Sequence, residues 1–80
     1  MLSYLYRLAA GFQHSHGYRP NLVYLNRLHY RMLQENLAGM TGEDEIARFL
    51  GMDVVISPDI RHPDVAWMSH GRRQSVAGHR

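Results

Sequence analysis

The chain has 80 residues, of which 45% are hydrophobic and 20% are charged, which predicts one globular domain with a small apolar core. Cysteine is absent, which excludes disulfides, thiolate metal sites and a cysteine nucleophile. All 9 basic residues are arginine and the formal net charge is only +2, which does not indicate a uniform surface for nucleic acid.

The charges are unevenly distributed along the chain. Residues 1–38 carry four Arg against one Glu, residues 39–64 carry six acids against two Arg, and residues 65–80 carry three Arg and no acid. An acidic middle between basic ends favours contacts within the fold or between subunits. No apolar run reaches the roughly 20 residues that span a bilayer, and the N-terminus lacks a cationic signal region. We therefore expect a cytoplasmic protein with no membrane segment.

The first half of the chain predicts a helix, a strand and a second helix. Apolar residues in 2–12 recur at helical spacing, and "QHSHGYRPN" that follows has the composition of a loop. The run "LVYL" at 22–25 is typical of a buried strand, after which Asn26 can cap a helix that ends near residue 38. The predicted buried face of that helix consists of Leu25, Leu28, Met32, Leu33 and Leu37.

The second half predicts a helix and two strands. In "TGEDEIARFLG", Thr41 and Asp44 resemble a capping box, acids occupy the first turn, and Gly51 suits a left-handed C-cap. The buried face predicted for the helix in this segment consists of Ile46, Phe49 and Leu50. "MDVVIS" then predicts a strand, and "VAWMS" at 65–69 a further strand that pairs with it as an antiparallel hairpin. The intervening "PDIRHPD" contains two prolines, which cannot continue the pairing.

These elements predict an α/β (α+β) fold in the order α-β-α-α-β-β, with a three-stranded mixed sheet and helices packed on it. The two helices between the first two strands are long enough for a parallel crossover. We expect residues 1–70 to form the domain and residues 71–80 to form a basic tail, flexible or packed on a neighbouring subunit. Because a core this small has little margin, a homo-oligomer is expected.

The tripeptide His62-Pro63-Asp64 resembles the signature loop of the J-domain, which stimulates Hsp70 chaperones. In that family the signature lies between two antiparallel helices, whereas here strand-like segments flank it on both sides. We therefore interpret the tripeptide as part of a proline-set hairpin tip, whose exposed residues are candidates for contact with an unknown protein partner. Those candidates are Asp59, Arg61, His62 and Asp64.

Two further patterns suggest ligands. His14 and His16 are candidate metal ligands, because alternate residues of an extended segment can converge on one ion, but a site needs more ligands from elsewhere. We expect no cofactor. Arg72 and Arg73 in the tail are candidates for contact with phosphate, so nucleic-acid binding is an alternative function. The tyrosines and Trp67 are interpreted mainly as core and rim residues rather than as platforms for bases.

A broader resemblance covers residues 20–68. The strand "LVYLN", the helix with "YRML" and the segment "FLGMDVVISPDIRHPDVAWM" are together similar to a stretch near the end of tailed-phage major capsid proteins. That resemblance implies a phage-derived structural protein. Our leading hypothesis is a small non-enzymatic module that acts through protein–protein contacts or assembly, and the phage-derived structural protein and the nucleic-acid binder are its alternatives.

Overall fold

The computed structural model describes residues 1–37, 39–40 and 42–69, and it confirms the predicted order of elements. The candidates Arg72 and Arg73, like the whole predicted tail 71–80, lie outside the described residues. The helices are α1 (Leu2–His16), α2 (Arg27–Asn36) and α3 (Glu43–Leu50), and the strands are β1 (Leu22–Leu25), β2 (Asp53–Ile56) and β3 (Asp64–Ala66).

The three strands form one mixed sheet in the order β2-β1-β3. β1 is parallel to β2 and antiparallel to β3, so the predicted parallel crossover is confirmed. The predicted hairpin between β2 and β3 is wrong, because β1 lies between them. The connection 57–63 is long enough to cross one strand at the usual spacing of about 4.8 Å, whereas a tight hairpin needs only two residues.

The helices pack on one face of this sheet, which we call the helix face. Strand side chains alternate between faces, and the register places Val23 beside Val54 and Val65. These three valines pack with the buried residues of all three helices, which are Leu5, Leu33, Ile46 and Leu50. The apolar core is therefore a single layer between the helices and one side of the sheet.

Helix α1 is longer than predicted. It continues through "QHSH" and ends at Gly17, whose φ of 84° gives a left-handed cap with its amide donating to the Gln13 carbonyl at 2.8 Å. The predicted loop over residues 13–16 is therefore wrong. The first residue that requires a left-handed conformation, Gly17, sets the end of the helix, whereas the polar composition before it does not.

Helix α2 buries a narrower stripe than its apolar residues predict. Leu33 and Leu37 are buried, but Leu28 is 61% exposed and Met32 40% exposed. Tyr30, Leu33 and the C-cap residue Leu37 face the core, whereas Leu28 and Met32 lie to one side of that line. Because the sheet has only three short strands, one helix finds support along one line only.

The ends of helix α3 are close to those predicted, but one residue of its predicted buried face is exposed. The acids in its first turn, Arg48 in its last turn and Gly51 with φ 75° are as predicted. Its N-cap is Gly42, one residue after the predicted Thr41, which lies outside the described residues. Phe49 was predicted to be buried but is 45% exposed, because α3 contacts the core through Ile46 and Leu50.

Two asparagines hold the ends of β1. Asn21 precedes the strand, and its side chain accepts from the Met68 amide at 2.9 Å and donates to the Met68 carbonyl at 2.8 Å. Asn26 follows the strand, and its Oδ1 caps α2 by accepting from the His29 amide at 2.8 Å. Its Nδ2 also donates to the Ile60 carbonyl at 3.1 Å. Each asparagine therefore ties β1 to a segment distant in sequence.

We expect Asn26→Ala to lower the free energy of unfolding by about 1–3 kcal/mol, because it removes both a helix cap and a hydrogen bond across the fold. The measurement is urea denaturation followed by circular dichroism. Asn26→Asp is the matched control, since it keeps the capping oxygen and loses only the donor to Ile60. An equal loss in both variants would contradict the importance of the cap.

Candidate interaction surfaces

Residues 57–63 connect β2 to β3 across the carboxyl end of β1. The Ser57 amide donates to the Leu25 carbonyl at 2.7 Å, and the Ile60 amide closes a turn by donating to the Ser57 carbonyl at 3.3 Å. Asn26 holds the middle of the segment through Ile60. The predicted hairpin tip is therefore a crossing loop that is anchored to the start of α2.

The candidate residues of this loop are exposed while its second proline is not. Asp59, Arg61, His62 and Asp64 are all exposed, and Pro63 is buried. Pro63 thus anchors the loop and presents the charged residues around it to solvent. Their part in binding a partner stays a prediction.

The loop also closes the place where sheets of this kind commonly bind ligands, which is the carboxyl end of parallel strands. Here the side chain of Asn26 is already engaged on both sides, by the His29 amide and the Ile60 carbonyl. An open depression of about 300 Å³ lies instead at the opposite end of the sheet, lined by residues that include Asn21, Arg48 and Asp53.

The candidate metal ligands His14 and His16 lie in the last turn of α1. Residues two apart on a helix point about 200° apart, so the two imidazoles do not converge as an extended segment would allow. His16 instead lies against Phe12, with ring centroids 4.1 Å apart. Among the described residues, no group of three or more His, Asp or Glu is placed to hold a metal ion.

An aromatic cluster that the sequence did not single out joins α1 to the end of the sheet. Tyr18 lies edge-on to Trp67 at 5.7 Å and to Phe12 at 5.8 Å. Tyr18 is 49% exposed and Trp67 51% exposed, and the two rings line an open depression of about 290 Å³. The signal was the position of Trp67 just beyond β3, where few neighbours remain to bury a large ring.

The second face of the sheet, which we call the open face, contributes no side chain to the core cluster that the described residues form. By the register, this face consists of Leu22, Tyr24, Asp53, Val55, Asp64 and Ala66. Leu22 is buried, Tyr24 is partly buried and Val55 is 37% exposed. Apolar side chains at consecutive positions of β2 are the sequence signal for this face, because a strand solvated on one side normally alternates apolar with polar residues.

One partly buried phenol carries a shifted pKa. Burial raises the pKa of Tyr30 above its usual value of 10.0, and the negative charge of Glu43 on α3 raises it further.

Comparison of this chain with known protein families, with curated proteins and with solved structures finds no match. The resemblance of residues 20–68 to phage capsid proteins therefore stays a prediction. Among the described residues, none of the helices combines the length and the apolarity that a bilayer crossing requires.

We expect the pKa of Tyr30 to lie above the usual tyrosine value of 10.0, in a titration followed by NMR of the ring carbons. Because the pKa is raised in the folded state, its contribution to stability is complete below the unfolded pKa of about 10 and is lost as the pH rises through the folded value. Glu43→Gln should lower the pKa of Tyr30 only in part, since burial is the larger cause. If Glu43→Gln returned the pKa of Tyr30 fully to its usual value, burial would not be the larger cause of the shift.

Proposed function

We propose that this chain is a non-enzymatic module for protein–protein contact, and that it acts by associating with itself. The open face of the sheet is the observation that carries the proposal. Among the described residues, the helices lie on one side of the three-stranded sheet and form no second layer over apolar residues of the other side such as Tyr24 and Val55. The hydrophobic effect favours covering such a face, and another copy of the chain can supply the cover.

The charge distribution supports the same proposal. The acids of the open face are Asp53 and Asp64, while the N-terminal 34 residues and the C-terminal 16 residues contain arginine but no acid. A surface with one sign of charge at its rim and the opposite sign elsewhere on the same chain favours contact between copies. The phage capsid resemblance implies one form of such assembly, and the proposal assigns no reaction to the chain.

Solution mass measured from low micromolar to millimolar protein concentration tests the proposal. We expect the mass to rise with concentration, and Tyr24→Thr to weaken association about tenfold to a hundredfold because it removes apolar contact area. His62→Gln is the control, since His62 lies in the exposed loop and away from the open face. A monomer at every concentration would refute self-association. If His62→Gln weakened association as much as Tyr24→Thr does, the loop and not the open face would be the contact surface.

Nucleic-acid binding is a second candidate, favoured by the exposed pair of Tyr18 and Trp67. Exposed aromatic rings next to cations are the usual means of holding unpaired bases. Arg19 directly follows Tyr18 in the chain, and Arg72 and Arg73 follow Trp67 within six residues. The aromatic cluster and the arginines would then bind bases and phosphates respectively.

A fluorescent single-stranded oligonucleotide titrated into the protein tests this candidate. We expect Trp67→Ala to weaken binding by about tenfold or more. Replacing Arg72 and Arg73 with Ser should reduce the salt dependence by about 1.4 in the log–log slope, as expected for two phosphates of a single strand. Phe49→Ala is the matched control, because Phe49 is an exposed aromatic residue on α3 and is not part of the aromatic cluster. Binding that is indifferent to Trp67→Ala would refute base stacking at the cluster.

A further inference from the structure

The two edge strands of the sheet, β2 and β3, differ in whether their outward backbone groups are free to pair with another strand. On β2, the Asp53 amide donates to the Asn21 carbonyl and the Ser57 amide donates to the Leu25 carbonyl. Backbone groups alternate in direction along a strand, so the amides and carbonyls of Val54 and Ile56 point away from β1. No hydrogen bond engages these outward groups within the described residues.

At the β3 edge, by contrast, the outward amide already has a hydrogen-bond partner. The Ala66 carbonyl accepts from the Asn21 amide, so the backbone groups of the preceding Val65 point outward. The carboxylate of Asp64 accepts from the Val65 amide at 2.9 Å and so occupies the outward donor. A side chain that caps its own strand in this way blunts an edge against pairing. Within the described part of the chain, no such side chain protects the β2 edge, and this edge is the one open to strand addition.

We infer that two copies of this chain pair through antiparallel β2 strands and form one continuous six-stranded sheet. In the matching register, Val54 of each copy lies opposite Ile56 of the other copy. Each outward amide then meets an outward carbonyl, which gives four hydrogen bonds related by a two-fold axis. The inference rests on the proposed self-association and specifies the surface and partner.

The side chains of β2 fit this register. Val55 lies on the two-fold axis opposite its own copy, so two β-branched residues meet on the open face. Asp53 lies opposite Ser57 of the other copy, and the two Asp53 carboxylates are about 13 Å apart along the strands, which avoids like-charge contact. Pro58 lacks the amide that a longer ladder would need, so pairing ends there.

The pairing also joins the open faces of the two copies. Tyr24 and Val55 are adjacent in the register, so the apolar strip of one copy continues into that of the other. Backbone pairing at the edge thus brings existing apolar surface together.

The absence of cysteine from the chain allows a direct test by disulfide trapping. In the inferred register the two Cα atoms at position 55 are about 4.5 Å apart, within the range that a disulfide spans. We expect full-length Val55→Cys to form a covalent dimer at least tenfold faster than full-length Asp53→Cys under mild oxidation. Asp53→Cys is matched, because it lies two residues away on the same strand and face.

Two further measurements fix the register and the role of the backbone. A mixture of Asp53→Cys and Ser57→Cys should form a mixed disulfide, because these positions lie opposite each other. Ile56→Pro removes an outward amide without touching the β1 ladder, and proline is tolerated at such positions of an edge strand. We expect this variant to keep the circular dichroism of the parent and to dissociate at least tenfold more readily.

The outcomes separate this inference from the proposed function. A dimer in solution that neither traps at Val55→Cys nor responds to Ile56→Pro would overturn the β2 pairing and leave self-association intact. Equal trapping of Val55→Cys and Asp53→Cys would indicate random collision and would also overturn the pairing. A monomer at every concentration would overturn both proposals. The Val55→Cys result stands even if Ile56→Pro fails to fold, since Val55 is an exposed position.

Discussion

The structure depends on a four-residue strand held from both sides. β1 hydrogen-bonds to β2 and to β3, and three of its four side chains are buried. Asn21 and Asn26 at its two ends bind Met68 and Ile60, which fixes where β3 leaves the sheet and where the crossing loop lies. Since a strand this short contributes few ladder hydrogen bonds, these side-chain contacts supply much of the restraint on its neighbours.

Local chemistry in the sequence predicts most of the elements. Asn26 caps α2, Gly51 adopts the left-handed end of α3, and the acids of α3 lie in its first turn. The apolar run at 22–25 predicts a buried strand, and the length between it and β2 predicts the parallel pairing. The caps and the strand are set by residues within a few positions of one another, and the parallel pairing follows from the length of the connection, so these features can be predicted without knowledge of the fold.

The errors occur where distant segments decide the outcome. β3 pairs with β1 because the loop 57–63 is anchored by Asn26, a contact between residues 34 apart in sequence. Leu28 and Met32 stay exposed because the sheet beneath α2 is too small to support a second line of side chains. The candidate histidines His14 and His16 separate because a glycine ends the helix after them and not before. Composition and periodicity carry none of this information.

The same small size explains why the candidate surfaces lie on the sheet. The described residues form one layer of helices, which covers one face of the three strands, and within them neither the other face nor the β2 edge is covered. The two edges of the sheet differ in their hydrogen bonds. The carboxylate of Asp64 accepts from the outward amide of β3, and nothing in the described residues accepts from the outward amides of β2. If both edges were simply exposed, pairing could continue on either side and lead to open aggregates. Protection of one edge limits growth to a closed pair, and this asymmetry is the physical reason to expect a defined dimer.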